Sequence, residues 1–247
     1  VTEPYFSDAS VTLYLGDSRD ILPALVGDAV VTDPPYGETS LPWDKWPDGW
    51  PSWINEAVRS MWCFGSMRMF LDRRDEFAGW RLSQDVVWEK HNGTGFAADR
   101  FKRVHELATH WYRGEWSGVR HEAVREEYHG PDKHARARTS RTPHTGAIGG
   151  HHYVDDGARM VRSIIRAKSV RGGLHPTEKP TQILAPLIEY VVPVGGLVLD
   201  PFAGSGSTLL TARQIDRRAI GIEAHEAYCE AAAKRLSEQD LFSGGAA

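Results

Sequence analysis

The segment from Leu197 to Glu223 constrains the fold of this chain more than any other. Leu197-Val198-Leu199 is a short, wholly apolar run of the kind that forms strands buried on both faces in parallel sheets. Asp200-Pro201-Phe202-Ala203-Gly204-Ser205-Gly206-Ser207 then reads as a Gly-rich turn, Thr208 to Ile215 as a helix, and Arg218 to Ile222 as the next strand, ending at Glu223. A strand, a helix and a strand in so short a span predict a parallel βαβ unit. Gly204 and Gly206 allow a tight turn that a ligand can approach closely, and Glu223 stands where an acid can bond ribose hydroxyls. The third glycine of a dinucleotide fingerprint is missing, as is the lysine of a phosphate-binding loop. Asp200 would repel phosphate and welcome an ammonium group, so a nucleoside carrying one, such as S-adenosylmethionine, suits the turn better than a pyrophosphate. A turn that serves packing alone could carry the same letters.

A second feature lies near the other end of the chain. Ala29 to Thr32 reads as a short buried strand running straight into Asp33-Pro34-Pro35-Tyr36. The two prolines force a rigid, extended exit. An exocyclic base amine is a poor nucleophile because its lone pair is delocalised into the ring. A carboxylate accepting one N–H and a backbone carbonyl accepting the other draw the nitrogen towards tetrahedral geometry, which frees the lone pair for attack on a methyl sulfonium. Asp33 and the Pro34 carbonyl have that chemistry, and Tyr36 offers a face for an extruded base. The bland alternative is a Pro-Pro turn with a core tyrosine.

Between these features the pattern predicts strands at Val11 to Leu15, Met67 to Leu71, Asp85 to Trp88 and Val104 to Trp111. Helical spacing appears at Asp20 to Leu25, Trp53 to Met61, Asp72 to Trp80, Pro180 to Val192 and Ala227 to Leu236. Glu38 to Pro51 is a loop holding Trp43, Trp46 and Trp50. That loop either closes over a bound base or packs at a boundary.

The net charge of −4 gives no overall reason to expect nucleic acid. From Lys133 to Arg171, however, nine Lys or Arg face only Asp155 and Asp156, a local +7 that leaves −11 on the rest. This predicts either a surface facing a polyanion or a solvated insertion. His134, His144, His151 and His152 lack cysteine or acidic partners at ligand spacing, so phosphate contact or solvation is expected and no metal site. Cys63 and Cys229 stand far apart, which speaks against a disulfide framework and fits a reducing cytosol. Neither a signal peptide nor a membrane span is expected, and a cytoplasmic location follows.

Taken together, Asp33 to Tyr36 and Asp200 to Gly206 resemble the amino-methyltransferases that act on DNA. The order, catalytic tetrapeptide first and cofactor turn last, is similar to the β group of that family. Leu15-Gly16-Asp17-Ser18, Trp88-Glu89-Lys90, His105-Glu106 and His175-Pro176-Thr177-Glu178-Lys179-Pro180 are further family-like segments. The resemblance spans the chain apart from Glu115 to Gly173.

The resemblance implies S-adenosylmethionine as cofactor and methyl transfer to the N6 amine of adenine in double-stranded DNA, with the base flipped out and no metal. Asp33 and the Pro34 carbonyl would hold the amine, with Pro35 and Tyr36 completing the base pocket. Asp200, Phe202, Gly204, Gly206, Ser207 and Thr208 would line the cofactor, Glu223 its ribose and Asp17 its adenine amine. Thr177, Lys179 and Pro180 would lie beside the methionine end, although His-Pro-Thr-Glu-Lys-Pro equally suits a capped helix start. A Gln is more usual where this chain has Glu178. The resemblance also implies a homodimer, which composition neither supports nor opposes.

The expected fold is a doubly wound, mostly parallel α/β sheet of Rossmann-like methyltransferase type. Residues 1–114 would form the catalytic part, 115–173 an inserted target-recognition region, and 174–247 the cofactor part of the same core. The N4 amine of cytosine is the alternative target. A non-catalytic DNA-binding protein with this core is more distant, and a methyltransferase for small molecules or proteins leaves the basic insertion without a reason.

Overall fold

The computed structural model describes residues 3–94, 98–127, 157–170 and 178–243. Its strands are β1 (Phe6–Ser7), β2 (Val11–Leu15), β3 (Ala29–Thr32), β4 (Ser60–Gly65), β5 (Arg81–Thr94), β6 (Arg103–Tyr112), β7 (Arg125–Glu127), β8 (Ala158–Met160), β9 (Ile164–Arg166), β10 (Leu197–Asp200) and β11 (Arg218–Glu223). The α-helices are α1 (Ser18–Ile21), α2 (Met67–Asp72), α3 (Thr181–Val191), α4 (Ser207–Gln214) and α5 (Glu226–Ser243). Residues 1–122 with 162–247 form one compact unit and residues 123–161 another. In the smaller unit β7 and β8 pair antiparallel, Glu126 opposite Arg159.

Among the described residues, the larger unit holds a sheet in the order β1-β2-β11-β10-β3-β4-β6-β5-β9. The five strands from β2 to β4 run parallel, β6 is antiparallel to both of its neighbours, and β9 is parallel to β5. The expected mostly parallel α/β sheet is therefore present. Its core lies on both faces, as side-chain alternation along a strand requires. Ala29 and Val31 of β3 and Trp62 and Phe64 of β4 pack on one face against α3. Val30, Met61 and Cys63 face the other side, with Trp46, Trp50, Phe70 and Phe77. Cys63 and Cys229 are free and buried. No helix among the described residues is long and apolar enough to cross a membrane.

Two local expectations reverse. Met67 to Leu71, read as a strand, is helix α2, because the Ser66 hydroxyl caps it by accepting from the Met69 N–H at 2.9 Å. The spacing at Trp53 to Met61 predicts a helix, but the chain makes only a 3-10 turn at Trp50–Trp53 and then extends into β4, whose six residues are all buried. The apolar run that begins at Met61 carries no period that separates helix from buried strand, and its pairing in the sheet decides for the strand. The charged helix expected at Asp72 to Trp80 shrinks to a 3-10 turn at Arg74–Phe77.

The tryptophan loop divides between packing and cleft. Trp46 and Trp50 are buried against Phe77, with ring centroids 6.4 and 6.3 Å away. Trp46 donates its ring N–H to Glu76 at 2.8 Å. Trp50 also meets Phe202 edge-on at 5.4 Å, which places an aromatic floor under the Gly-rich turn. Trp43 and Trp53 instead line the cleft described next.

Candidate functional site

The Gly-rich turn leaves β10 at Asp200. Gly204 has φ +52, a left-handed conformation natural to glycine, and its N–H donates to Glu223 Oε2 at 2.8 Å. Glu223 ends β11, and its Oε1 accepts from the His225 N–H at 2.8 Å. Burial pushes this carboxyl above its ordinary range, against those backbone bonds. Each oxygen still has a lone pair for a ribose hydroxyl. Gly16 N–H bonds the Glu223 carbonyl at 2.9 Å, so the end of β2 is tied to the end of β11. Asp17 follows directly and caps α1, accepting from the Arg19 N–H at 2.8 Å.

Asp200 departs from its expected place on the cofactor. It is 4% exposed, its Oδ1 accepts from the Thr32 hydroxyl at 2.7 Å and the Phe202 N–H at 3.1 Å, and the Thr208 hydroxyl also bonds it. The carboxylate pins the turn to β3 and to the first turn of α4, and it is not on the cleft wall. Burial pushes its pKa up to about 6.

Gly206 also faces away from the cleft. Its φ is +75 and a Cβ there would stand 3.2 Å from Ala232 Cβ on α5. We expect Gly206→Ala to lower stability by about 1–2 kcal/mol, read as a shift in urea midpoint at unchanged slope.

At the other end of the cleft, both Asp33 oxygens are engaged. Tyr36 Oη lies 2.5 Å from Oδ1, and Lys179 Nζ donates to Oδ2. Tyr36 Oη is also 2.7 Å from Glu106 Oε1, and Lys179 Nζ is 3.3 Å from the same atom. Lys90 Nζ closes the set 2.5 Å from Glu106 Oε2, over the Trp88 ring at 4.4 Å. Two carboxylates and two ammoniums thus surround one phenol.

Burial and the Glu106 charge push Asp33 up, against Lys179. Glu106 is buried too, yet Lys179 and Lys90 hold it down at about 2. Burial opposes the charge on Lys179, but Asp33 and Glu106 more than offset it and keep the ammonium protonated. Tyr36 is raised well above its usual value by burial and by both carboxylates, so the phenol stays neutral. The loop after Tyr36 is held by Asp44, which accepts from the N–H groups of Gly37, Glu38 and Thr39 at 2.8, 3.1 and 2.7 Å.

One cavity of about 770 Å³ joins these two ends, within the usual size of small-molecule sites. Asp17, Asp33, Pro34, Pro35, Tyr36, Lys179, Phe202, Gly204 and Glu223 all line it. Pro180 and Ser207 line a neighbouring cavity of about 330 Å³ with Lys168, Lys179 and Arg235. Thr208 is buried behind the turn. Thr177 lies outside the described residues, as do the four histidines and residues 133–156 and 171 of the basic stretch.

The acidic wall at Asp17 and Glu223, the glycine approach at Gly204 and the aromatic Phe202 fit the nucleoside part of S-adenosylmethionine. Glu178, where Gln is more usual, is matched by Arg235 of α5 at 2.6 Å, and that guanidinium also reaches the Ser205 carbonyl and the Ser207 hydroxyl. The extra charge is answered locally. Glu106 and Lys90 were visible in the sequence only within the family-like segments His105-Glu106 and Trp88-Glu89-Lys90, without a role, and nothing in the local pattern ties Glu106 to Tyr36, 70 positions away.

A parallel sheet carrying such a turn and cleft at the carboxyl ends of its strands belongs to the Rossmann-like methyltransferase class. Solved structures agree on the fold. M1.HpyAVI, solved as a SAM complex, matches with TM-score 0.60 and 23% identity over 92% of this chain and 100% of that one. The PvuII DNA methyltransferase, titled cytosine-N4-specific, matches with TM-score 0.64 and 15% identity over 98% and 93%. The sequence is more particular: the DNA methylase family of N6/N4 type matches residues 27–234, and the chain belongs to it. This family is one of S-adenosylmethionine-dependent DNA methyltransferases. Among relatives, the type II methyltransferase M.ScaI of Streptomyces caespitosus is 27% identical over 97% of this chain and 86% of its own length.

Proposed function

We propose that the protein transfers a methyl group from S-adenosylmethionine to the N6 amine of adenine in double-stranded DNA, with the target base rotated out of the duplex. The observation that carries this reading is the single cleft holding both the Asp33–Tyr36 segment and the Gly204–Glu223 turn. The cofactor, when bound, supplies an electrophilic methyl on a sulfonium. Glu223 would hold its ribose, Asp17 its adenine amine, Phe202 and Gly204 its flanks, and Lys179, Pro180 and Ser207 its amino-acid end.

Asp33 and the Pro34 carbonyl accept the two N–H groups of the target amine and turn its lone pair outward, while Tyr36 supports the base. Asp33 acts as an orienting acceptor rather than a strong base, since the amine proton becomes acidic only after alkylation. The wall of Arg68, Arg103 and His105 gives the same cleft cationic and hydrogen-bonding groups for the DNA strand. The +7 stretch from Lys133 to Arg171 is the proposed target-recognition segment, because its charge suits phosphates and its arginines suit guanine edges.

The test is incubation with plasmid DNA and labelled cofactor, then digestion to nucleosides. N6-methyladenine is expected. N4-methylcytosine would move the reading to the other amine, and label in neither nucleoside would overturn it. Glu223→Gln replaces an acceptor oxygen with an amide that opposes a backbone N–H. Cofactor affinity should fall about tenfold by calorimetry, with DNA affinity unchanged.

A further inference from the structure

In the resting arrangement each oxygen of the residue that receives the target amine already faces one donor, which competes with the amine for it. Asp33 Oδ1 is taken by Tyr36 and Oδ2 by Lys179, and both partners also reach Glu106 Oε1. A phenol has one proton, so Tyr36 donates to Asp33 or to Glu106 at any moment. The two acceptors are 2.5 and 2.7 Å away, and turning the hydroxyl about its C–O bond moves the proton between them without moving the ring. We propose that Glu106 is a positioning residue: its carboxylate takes over the Tyr36 hydroxyl and draws on Lys179 as the amine arrives, which relieves Asp33 of competing donors and leaves its carboxylate a better acceptor for the amine N–H. This rests on the proposed reaction at the same cleft.

Three features suit Glu106 to that exchange. Lys90 holds its second oxygen at 2.5 Å, so the first stays aimed at Tyr36 and Lys179. Its side chain is 9% exposed, which keeps water from taking the same role. The cluster is neutral overall, two acids against two ammoniums, so the handover changes no net buried charge. The groups facing Asp33 are Tyr36 on its own loop, Lys179 ahead of α3, Glu106 on β6, Asp200 at the end of β10 and the Cys63 thiol on β4. Of these, Glu106 is the acid that shares both of Asp33's partners.

The test uses the full chain with Glu106→Gln and Lys90→Met. The Asp33 carboxyl is followed by carbon-13 NMR in the absence of DNA, and single-turnover methylation is measured separately. Gln removes a like charge and a competitor for Lys179, so the Asp33 titration should move down by about half a unit or more. Lys90→Met strips a cation from Glu106, so the titration should move up. The Glu106→Gln single-turnover rate should fall about tenfold with cofactor and DNA affinities unchanged.

An unmoved Asp33 titration, or a Glu106→Gln rate equal to wild type, overturns the proposal. Should Glu106→Gln fail to fold, the Lys90→Met titration decides by its sign. A wild-type chain that leaves DNA unmethylated refutes the proposed reaction, and the two titrations still judge the coupling of Glu106 to Asp33.

Discussion

Asp33→Ala should lower single-turnover methyl transfer by about a thousandfold, some 4 kcal/mol of transition-state stabilisation, while cofactor and DNA still bind. The size follows from what the carboxylate does. It accepts an N–H that becomes more acidic as the nitrogen gives up its lone pair, so the bond is strongest at the transition state and weak in the ground state. Losing it therefore affects the chemical step and spares binding. The fold should tolerate the change, because Lys179 keeps Glu106 at 3.3 Å and Tyr36 keeps the same carboxylate at 2.7 Å. Asp33→Asn retains one acceptor oxygen without the charge and should fall between Ala and wild type. Rapid-quench transfer from labelled cofactor, beside equilibrium binding of each ligand, checks all of this. A rate within tenfold of wild type for Asp33→Ala would remove Asp33 from the reaction.

The sequence made the framework readable where the physics is local. A three-residue apolar strand, a glycine turn and an acid at the next strand end leave few folds open, and β10, α4 and β11 stand where that pattern puts them. Proline geometry likewise set the exit from β3. Failures came where the deciding contact is remote or rests on a single hydroxyl. The Ser66 cap turned the mostly apolar Met67–Leu71 segment into α2, and hydrophobic period alone does not register a cap. The pairing of Lys179 with Asp33 was not legible either, because the two stand 146 residues apart and the sheet order that brings them together is a tertiary fact. Asp200 was read by its charge. Its direction depends on two hydroxyls, one on β3 and one on α4, and these draw it inward from the cleft wall.

That inward turn has a measurable consequence for stability. Burial raises Asp200 from 3.8 to about 6, the hydroxyls and the Phe202 N–H offsetting only part of the desolvation. A carboxyl whose folded pKa lies above its unfolded one holds its proton more tightly in the folded protein. Its contribution is therefore fully present below about pH 4, is lost as pH rises through about 6, and is absent at neutral pH. A shift of about 2 units corresponds to about 3 kcal/mol, an upper figure for one site. Asp200→Asn removes that titration while keeping an oxygen for the Thr32 and Phe202 donors. The variant should be more stable than wild type at pH 8 by about 1–3 kcal/mol, and the difference should shrink towards zero near pH 4. Urea unfolding at the two pH values, with the slope confirmed unchanged, measures it. If the Asn variant is instead less stable at pH 8, the ionised carboxylate must be worth more to the turn than its burial costs, and Asp200 would be a charge the fold depends on.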